Sequence, residues 1–484
     1  MTCTDKIKKD KYLIGLDLGT TSIKGVLMST DGNIISSEKA ETMYSRPKEG
    51  WVQFDVKQFY ERISAVIQRL VRVAPSSSLI IGISIASASG NTVLVDQMGT
   101  PMLPAISWMD KRVTDELELV IGKLTENESR ELIGWPLNKT FPLAHLSWIK
   151  CHIPHALNDA DHICMTTDYV NYRLTGSWGI DPSTATTFFL QDQVKGHWHT
   201  PFLDLLGIPS SKISTILPTG TVLGGITEKA AEETCLLPGT PVVLGAFDHP
   251  CAARGSGVFD VGQMLISCGT SWVGFYPIQD RAMGVKQRLL IDPFLHADGA
   301  WGAMFSLPAI GTKIDELICR YISDASDRYK EFDRLSMDAL PGAGGLFINP
   351  FSNELNIDEN RYTKSNIARA IMEGTVYLLK AKVDTLRKAG MPIYSLTMVG
   401  GPSDTYPWPQ ILCDILGIQL SIVNGSNAGA VGAAILAGVG VGVYTNERDA
   451  FKKASFKIKT YYPDEANHLY CKKRYIEFSE VSEL

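Results

Sequence analysis

The chain has 484 residues, with 46 Lys and Arg against 52 Asp and Glu, a formal net charge of −6. Charged residues at 20% and hydrophobic ones at 45% exclude a collagen-like, low-complexity or disordered chain. The small negative balance argues against a general nucleic-acid binder, and the length suggests two domains, or three, each able to bury its own core.

The first eleven residues, MTCTDKIKKDK, are polar and lack the apolar core of a secretory signal. YLIGLDL (12–18) is a continuous apolar run that ends in an acid. Gly19-Thr20-Thr21-Ser22 reads as a turn, IKGVLMS resumes a strand, and Asp31-Gly32 makes a hairpin into NIISSEKAE, so three strands form a meander. Residues 56–73 carry Phe59, Ile63, Val66, Ile67 and Leu70 at helical spacing. LIIGISIA (79–86) and NTVLVD (91–96) are further strands, which favours mixed α/β layering.

LAHLSWIKCHI and TDYVNYRLTGS are the clearest helices of the middle region. PVVLGAFD (241–248) is again an apolar strand ending in Asp. VGQMLISCGTSWVGFYP (261–277) then repeats the opening shape of strand, Gly-Thr-Ser turn and strand. This weak repeat, about 250 residues on, suggests two similar halves, 1–256 and 257–484. Residues 367–390 form a long amphipathic helix with Gly390 as its stop, and SLTMVGGPSDTYPWPQILCDILG follows as strand, Gly-Gly turn and helix. The run Ala428–Val443 is too short and too Gly-rich to span a membrane and reads as a buried helix with a Gly-rich exit. Nine cysteines, an odd number without a C-x-x-C, suit a reducing cytosol rather than a disulfide framework. A soluble cytoplasmic protein is expected.

Several residues have the chemistry of a site. In Asp17-Leu18-Gly19-Thr20-Thr21-Ser22, backbone N–H and hydroxyl groups suit phosphate oxygens, Asp17 suits Mg²⁺, and Lys24 adds a positive charge. Read alone, the segment is equally a hairpin turn whose Asp and Thr bond local backbone. Gly269-Thr270-Ser271 supplies a second such turn, and the two would close on one phosphate chain from both sides. Asp248, at a strand end, suits proton acceptance from a substrate hydroxyl and is compatible with a helix N-cap. Gly400-Gly401-Pro402-Ser403 permits close approach of an anion or is a plain βα turn. There is no G-x-x-x-x-G-K-[ST], G-x-S-x-G or H-E-x-x-H. His145, His152, His155 and His162 lack partners for a zinc set and read as surface or satisfied histidines. Trp51, Trp108 and Trp148 read as core, with one near a cleft able to stack on a sugar.

Together these pieces resemble the FGGY carbohydrate kinases, of the actin-like ATPase (ribonuclease H-like) fold, over residues 12–445. The resemblance rests on LIGLDLGTTSIKGVL, GWVQFD, PAISWMDKR, TTDYVNYRLTGSWGIDPSTAT, GAFDHPCAARGSG, SCGTSW, RAIMEG, GGPSDTYPWPQILCDILG and NAGAVGAA, in that order. It implies two duplicated mixed-sheet α/β domains with a cleft between them, and ATP-dependent phosphorylation of a ketose, sugar acid or polyol. By this analogy Asp17 and Asp248 position Mg²⁺-ATP, and Asp248 is also the base. Gly19, Thr20, Thr21, Ser22, Lys24, Gly269, Thr270, Ser271, Gly400, Gly401 and Ser403 bind the nucleotide. Ser89, Asn91, Trp108, Asp110 and Arg112 lie at the sugar. The sequence departs from the xylulose and gluconate kinases where they carry Met-His, because ASASGNTVLVD stands there; SNELN replaces G-E-R-x-P. A xylulose-like pentulose is the favoured acceptor, with gluconate, glycerol or a tetritol as alternatives. A non-catalytic sensor and an Hsp70-like ATPase are the rival readings. Exposed apolar helices would support a homodimer.

Overall fold

Tyr12–Leu18 is buried along nearly its whole length, as expected of a strand covered on both faces. In the computed structural model, which describes residues 10–295, 300–352, 355 and 357–482, this segment is β1. Most of the polar N-terminal segment, including Cys3, and part of SNELN lie outside the described residues. β2 (Ser22–Ser29) and β3 (Ile34–Glu41) complete the antiparallel meander, with Gly32 at φ +84° in its second turn. β4 (Ile80–Ser87) lies parallel to β1. β5 (Val222–Gly225) pairs antiparallel with β6 (Pro241–Phe247), and β6 runs parallel to β4. The order is β5-β6-β4-β1-β2-β3.

Two different layers cover this sheet. The helix Val56–Val73 starts at Asp55, whose carboxylate accepts the Lys57 and Gln58 N–H groups, and turns Phe59, Ile63, Val66, Ile67 and Leu70 into the core. The helix Ala428–Gly440 covers the other face with small residues, which lets backbones touch. A Cβ on Gly15 of β1 would lie 1.8 Å from the Ala430 carbonyl oxygen. A Cβ on Gly432 would lie 1.8 Å from the Cys251 carbonyl oxygen of the helix Asp248–Gly255.

The chain divides into two compact units. One takes residues 1–257, 280–302 and 427–456; the other takes 258–279, 303–426 and 457–484. Neither unit is one contiguous half such as 1–256 or 257–484, because the small-residue layer on β1 comes from the far end of the sequence.

In the second unit, β7 (Gly262–Cys268) and β8 (Trp272–Ile278) are antiparallel across the second Gly-Thr-Ser turn. β9 (Ala300–Leu307), β10 (Ile393–Gly400), β11 (Leu420–Val423) and β12 (Ile458–Tyr461) extend the array in the order β9-β8-β7-β10-β11-β12. β7 and β10 are parallel, as β1 and β4 are, so the repeat seen in sequence is one of strand arrangement. The helix Lys364–Lys388 begins with a Thr363/Asn366 capping box and ends at Ala389, with Gly390 following at φ +82°. The eight described cysteines are free thiols, and no described helix is long and apolar enough to cross a membrane.

Candidate active site

Parallel pairing brings three strand ends of the first unit to one sheet edge, with Leu18 beside Ser87 and Ser87 beside Phe247. Ligands of open α/β sheets bind at such carboxyl ends. Asp17 pairs with Lys24 across the hairpin, and its Oδ2 lies 2.6 Å from where a Gly429 Cβ would be. Burial, and secondarily the Asp248 charge, push Asp17 up to about 7 against the pull of Lys24. Asp248 is not an N-cap. It is the first residue of the helix, Phe247 occupies the cap position, and Asp248 Oδ1 accepts the His249 N–H at 2.7 Å. Burial raises the Asp248 carboxyl too, and His249 opposes the rise. Two half-buried carboxyls, both raised by burial and one of them also by the charge of the other, suit an oxygen-seeking divalent cation such as Mg²⁺. Among the described residues no cluster of three His, Cys, Asp or Glu side chains forms a complete metal site. Such a cation would therefore need water or phosphate ligands, as Mg²⁺ prefers.

The turn after β1 is closed by Gly19 N–H to the Ser22 carbonyl at 3.1 Å and braced by Thr42, whose hydroxyl donates to the Gly19 carbonyl. Thr20 Oγ1 accepts the indole N–H of Trp108 at 3.1 Å, so this turn and the W-x-D-x-R segment are joined directly. Thr21 is exposed, and Ser22 and Lys24 are half-buried. In the second unit, Gly269 N–H reaches the Ser271 carbonyl at 3.2 Å and Ser271 Oγ accepts the Ala309 N–H at 2.9 Å. Gly311 N–H bonds the Thr270 carbonyl at 2.9 Å. Cys268 lies beside Gly400 in the β7–β10 register. Gly400 has φ +97°, and a Cβ there would sit 2.2 Å from the Cys268 carbonyl oxygen, so only glycine fits. Ser403 Oγ donates to the Gly400 carbonyl at 2.7 Å, and Gly401 faces open space. Within that unit, the second Gly-Thr-Ser turn and the Gly-Gly turn are neighbours.

The expected sugar residues are heavily committed to the protein itself. Asp110 is fully buried and accepts the Val52 N–H at 2.6 Å, the Arg112 N–H at 2.8 Å, and Arg112 Nε and Nη2 at 2.9 and 2.8 Å. The Arg112 guanidinium lies 3.8 Å over the Trp51 ring centre and 5.1 Å from that of Trp148. Trp51 and Trp148 thus hold Arg112, a role their spacing in sequence did not suggest. Asn91 bonds Thr166 at both ends of its amide, at 2.9 and 2.7 Å. Ser89 Oγ reaches the Ser87 carbonyl at 3.3 Å and Thr167 Oγ1 at 3.4 Å. Gly90 has φ +88°, and a Cβ there would meet the Phe141 ring at 2.7 Å.

The sequence profiles of the N- and C-terminal domains of the FGGY family of carbohydrate kinases match residues 12–255 and 264–441. The chain belongs to the FGGY family of carbohydrate kinases. It is a phosphotransferase with an alcohol group as acceptor, on the two-domain α/β fold of that family, and family members use ATP. The kinase is 28% identical to the autoinducer-2 kinase of Salmonella typhimurium over 480 residues, covering 91% of this chain and 88% of that protein. It is 26% identical to the xylulose kinase of Staphylococcus epidermidis over 475 residues, covering 95% and 94%. The crystal structure of xylulose kinase from Rhodospirillum rubrum superposes with a TM-score of 0.83 at 25% identity, covering 97% and 98%.

The kinase also carries residues here to which sequence reading gave no role: Asp181 and Ser183 stood only inside the family-like run GIDPSTAT, and Asp292 was passed over. Asp181, Ser183 and Asp292 are all buried, and burial pushes Asp181 up to about 6 and Asp292 up to about 7. An acid inside the apolar run LLIDPFL was the available signal for Asp292.

His145 of the kinase is fully buried with Nδ1 2.9 Å from Thr92 Oγ1, while Nε2 has no partner among the described residues. Burial lowers its pKa to about 3, so the folded protein holds it neutral. The unfolded chain takes the proton near pH 6.5, so this site loses stability as pH falls through that value. His145→Gln removes the titration and leaves the buried acids to affect both proteins alike. The stability difference between variant and wild type is expected to move by about 2 kcal/mol in favour of Gln between pH 7 and pH 5. Urea unfolding at the two pH values measures it, and an unchanged difference would show a hydrated, chargeable imidazole.

Proposed function

We propose that the kinase uses ATP to phosphorylate a hydroxyl of a xylulose-like pentulose, with Asp248 as the general base. The observation that carries this reading is the placement of Asp17 and Asp248 at one edge of the same sheet, on strands that flank β4, close enough for the Asp248 charge to raise the Asp17 carboxyl. Asp248 takes the proton of the acceptor hydroxyl while that oxygen forms a bond to the γ-phosphorus and the bond to the ADP leaving oxygen breaks. Asp17 and Asp248 would hold Mg²⁺, which when bound neutralises charge on the phosphates. The N–H and hydroxyl groups of Gly19, Thr20, Thr21 and Ser22, and of Gly269, Thr270 and Ser271, donate to phosphate oxygens, with Lys24 adding charge. Gly400, Gly401 and Ser403 let the nucleotide approach the backbone.

On the acceptor side, Ser89, Asn91, Trp108, Asp110 and Arg112 shape the sugar subsite. Asp110 and Arg112 brace the loop that carries Trp108, since their own hydrogen bonds are spent on each other and on Val52. The 28% identity to proteins named autoinducer-2 kinase favours a second acceptor, autoinducer-2 itself. ADP release measured over xylulose, ribulose, gluconate, glycerol, erythritol and autoinducer-2 separates the readings. Turnover is expected to be highest with a pentulose. Highest turnover with autoinducer-2 would establish the second acceptor, and silence over the whole set would point to a sensor.

A further inference from the structure

Among the described residues the Asp248 side chain accepts one hydrogen bond, from the adjacent His249 N–H, with the His249 ring 3.9 Å away, so the backbone that carries both must set its direction. That backbone turns from strand to helix at Phe247, which sits at φ −54° and ψ 150°. The Phe247 N–H donates to Ser183 Oγ at 3.2 Å, and the Ser183 hydroxyl donates to Asp292 Oδ2 at 2.6 Å. A serine has one proton, this one is directed at the carboxyl, and the serine oxygen is left to receive the amide.

Asp292 has a firm seat from which to do this. Its strand, Leu290–Leu295, is held through Ile291, whose N–H reaches the Gly134 carbonyl at 3.1 Å. The Ile291 carbonyl receives Trp135 Nε1 at 2.9 Å and Gln193 Nε2 at 2.8 Å. Further along, the Phe294 carbonyl receives Arg254 Nη2 at 2.6 Å, from the very helix that begins with Asp248. A carboxyl that is 1% exposed in an apolar strand is costly to bury, and Ser183 is its only hydrogen-bond partner among the described residues, with Oδ1 left unpaired.

We propose that Asp292 is a positioning residue for phosphoryl transfer, acting through Ser183 on the Phe247 peptide to aim the Asp248 carboxylate. This rests on the reading of Asp248 as the base. Asp292 does not touch the reacting atoms in this scheme; it fixes the turn from which the base projects.

The test compares Ser183→Ala, Asp292→Ala, Asp292→Asn and the Ser183→Ala/Asp292→Ala double variant, each in the full chain, with Asp248→Ala as reference. Either alanine variant is expected to lower kcat by about 10- to 100-fold, because a small misplacement of a reacting group costs that much. Acceptor and ATP KM should stay within about twofold, and ADP binding should persist. Asp292→Asn should recover to within about threefold of wild type, since its amide oxygen accepts the same Ser183 hydroxyl. The double variant should be no worse than the poorer single one, because both changes cut the same chain of bonds. Ser183→Ala removes a single oxygen atom and decides the matter should Asp292→Ala not fold. An inactive Asp248→Ala beside a Ser183→Ala of unchanged kcat overturns the positioning role alone. So does a double variant whose loss is the product of the two single losses. An active Asp248→Ala overturns the base reading itself.

Discussion

Replacing Asp248 with Ala is expected to lower kcat by about 10²- to 10⁴-fold, the range over which a positioned general base acts. ADP should still bind, because the Gly-Gly turn beside the second Gly-Thr-Ser turn, both proposed for the nucleotide, belongs to the other unit of the chain. The geometry behind this is the strand end at Phe247, which delivers one carboxyl to the sheet edge already occupied by Asp17. Asp248→Asn should be nearly as slow as Asp248→Ala, since the amide fills the same space and cannot take a proton. Burial raises the Asp248 carboxyl, so the wild-type acid limb of kcat/KM should lie above the ordinary carboxylate range. Steady-state kinetics with calorimetric ADP titration test both halves of the expectation. Turnover above about a tenth of wild type in Asp248→Ala would remove this residue from the base role.

Gly432→Ala is expected to be among the most damaging single changes to the fold. Its new Cβ would lie 1.8 Å from the Cys251 carbonyl oxygen and 3.1 Å from the Gly255 nitrogen. The reciprocal position is equally closed, with a Gly255 Cβ 2.0 Å from the Ala428 carbonyl oxygen. The obstacles are backbone atoms of two packed helices, so no side chain can rotate aside. Separating the helices opens the small cluster of Ala86, Ala246, Cys251, Ala433 and Leu436. A cost at or above the upper end of about 1–3 kcal/mol follows. For a chain of this domain size that is a Tm lower by about 6–12 °C. Gly401→Ala, with nothing near its Cβ position, should leave Tm unchanged and serves as the control. Equal thermal unfolding of Gly432→Ala and wild type would show that the two helices are not in backbone contact.

Much of this architecture could be read from periodicity. The helix at Val56–Val73 coincides with the span set by Phe59, Ile63, Val66, Ile67 and Leu70, because one apolar stripe facing one sheet is a local property. The strand that carries Asp17 and the one that leads into Asp248 were legible for the same reason. What stayed hidden depends on residues far apart in sequence. Ser183 and Asp292 are 109 positions apart, and nothing in either neighbourhood announces their bond. Trp51, Arg112 and Trp148 each look ordinary alone, and only folding makes a cation lie over one indole beside the other. The start of the helix at Asp248 shows a finer limit. An Asp followed closely by Pro is a fair N-cap signal, yet the cap falls on Phe247, and the Asp248 carboxyl accepts only the adjacent His249 N–H of the first turn.

The late return of residues 427–456 to the first unit bears on how the protein can be made. A ribosome that has just finished Gly257 has produced all six strands of the first sheet but not the layer that lies on Gly15. Until Ala428–Gly440 emerges, the apolar face of β1 and β2 around Leu13 and Val26 is wet and sticky, an opening for nascent-chain aggregation. Synthesis of nearly the whole polypeptide therefore has to precede maturation of its first half, and an expressed fragment stopped at 257 would call for a chaperone rather than fold by itself.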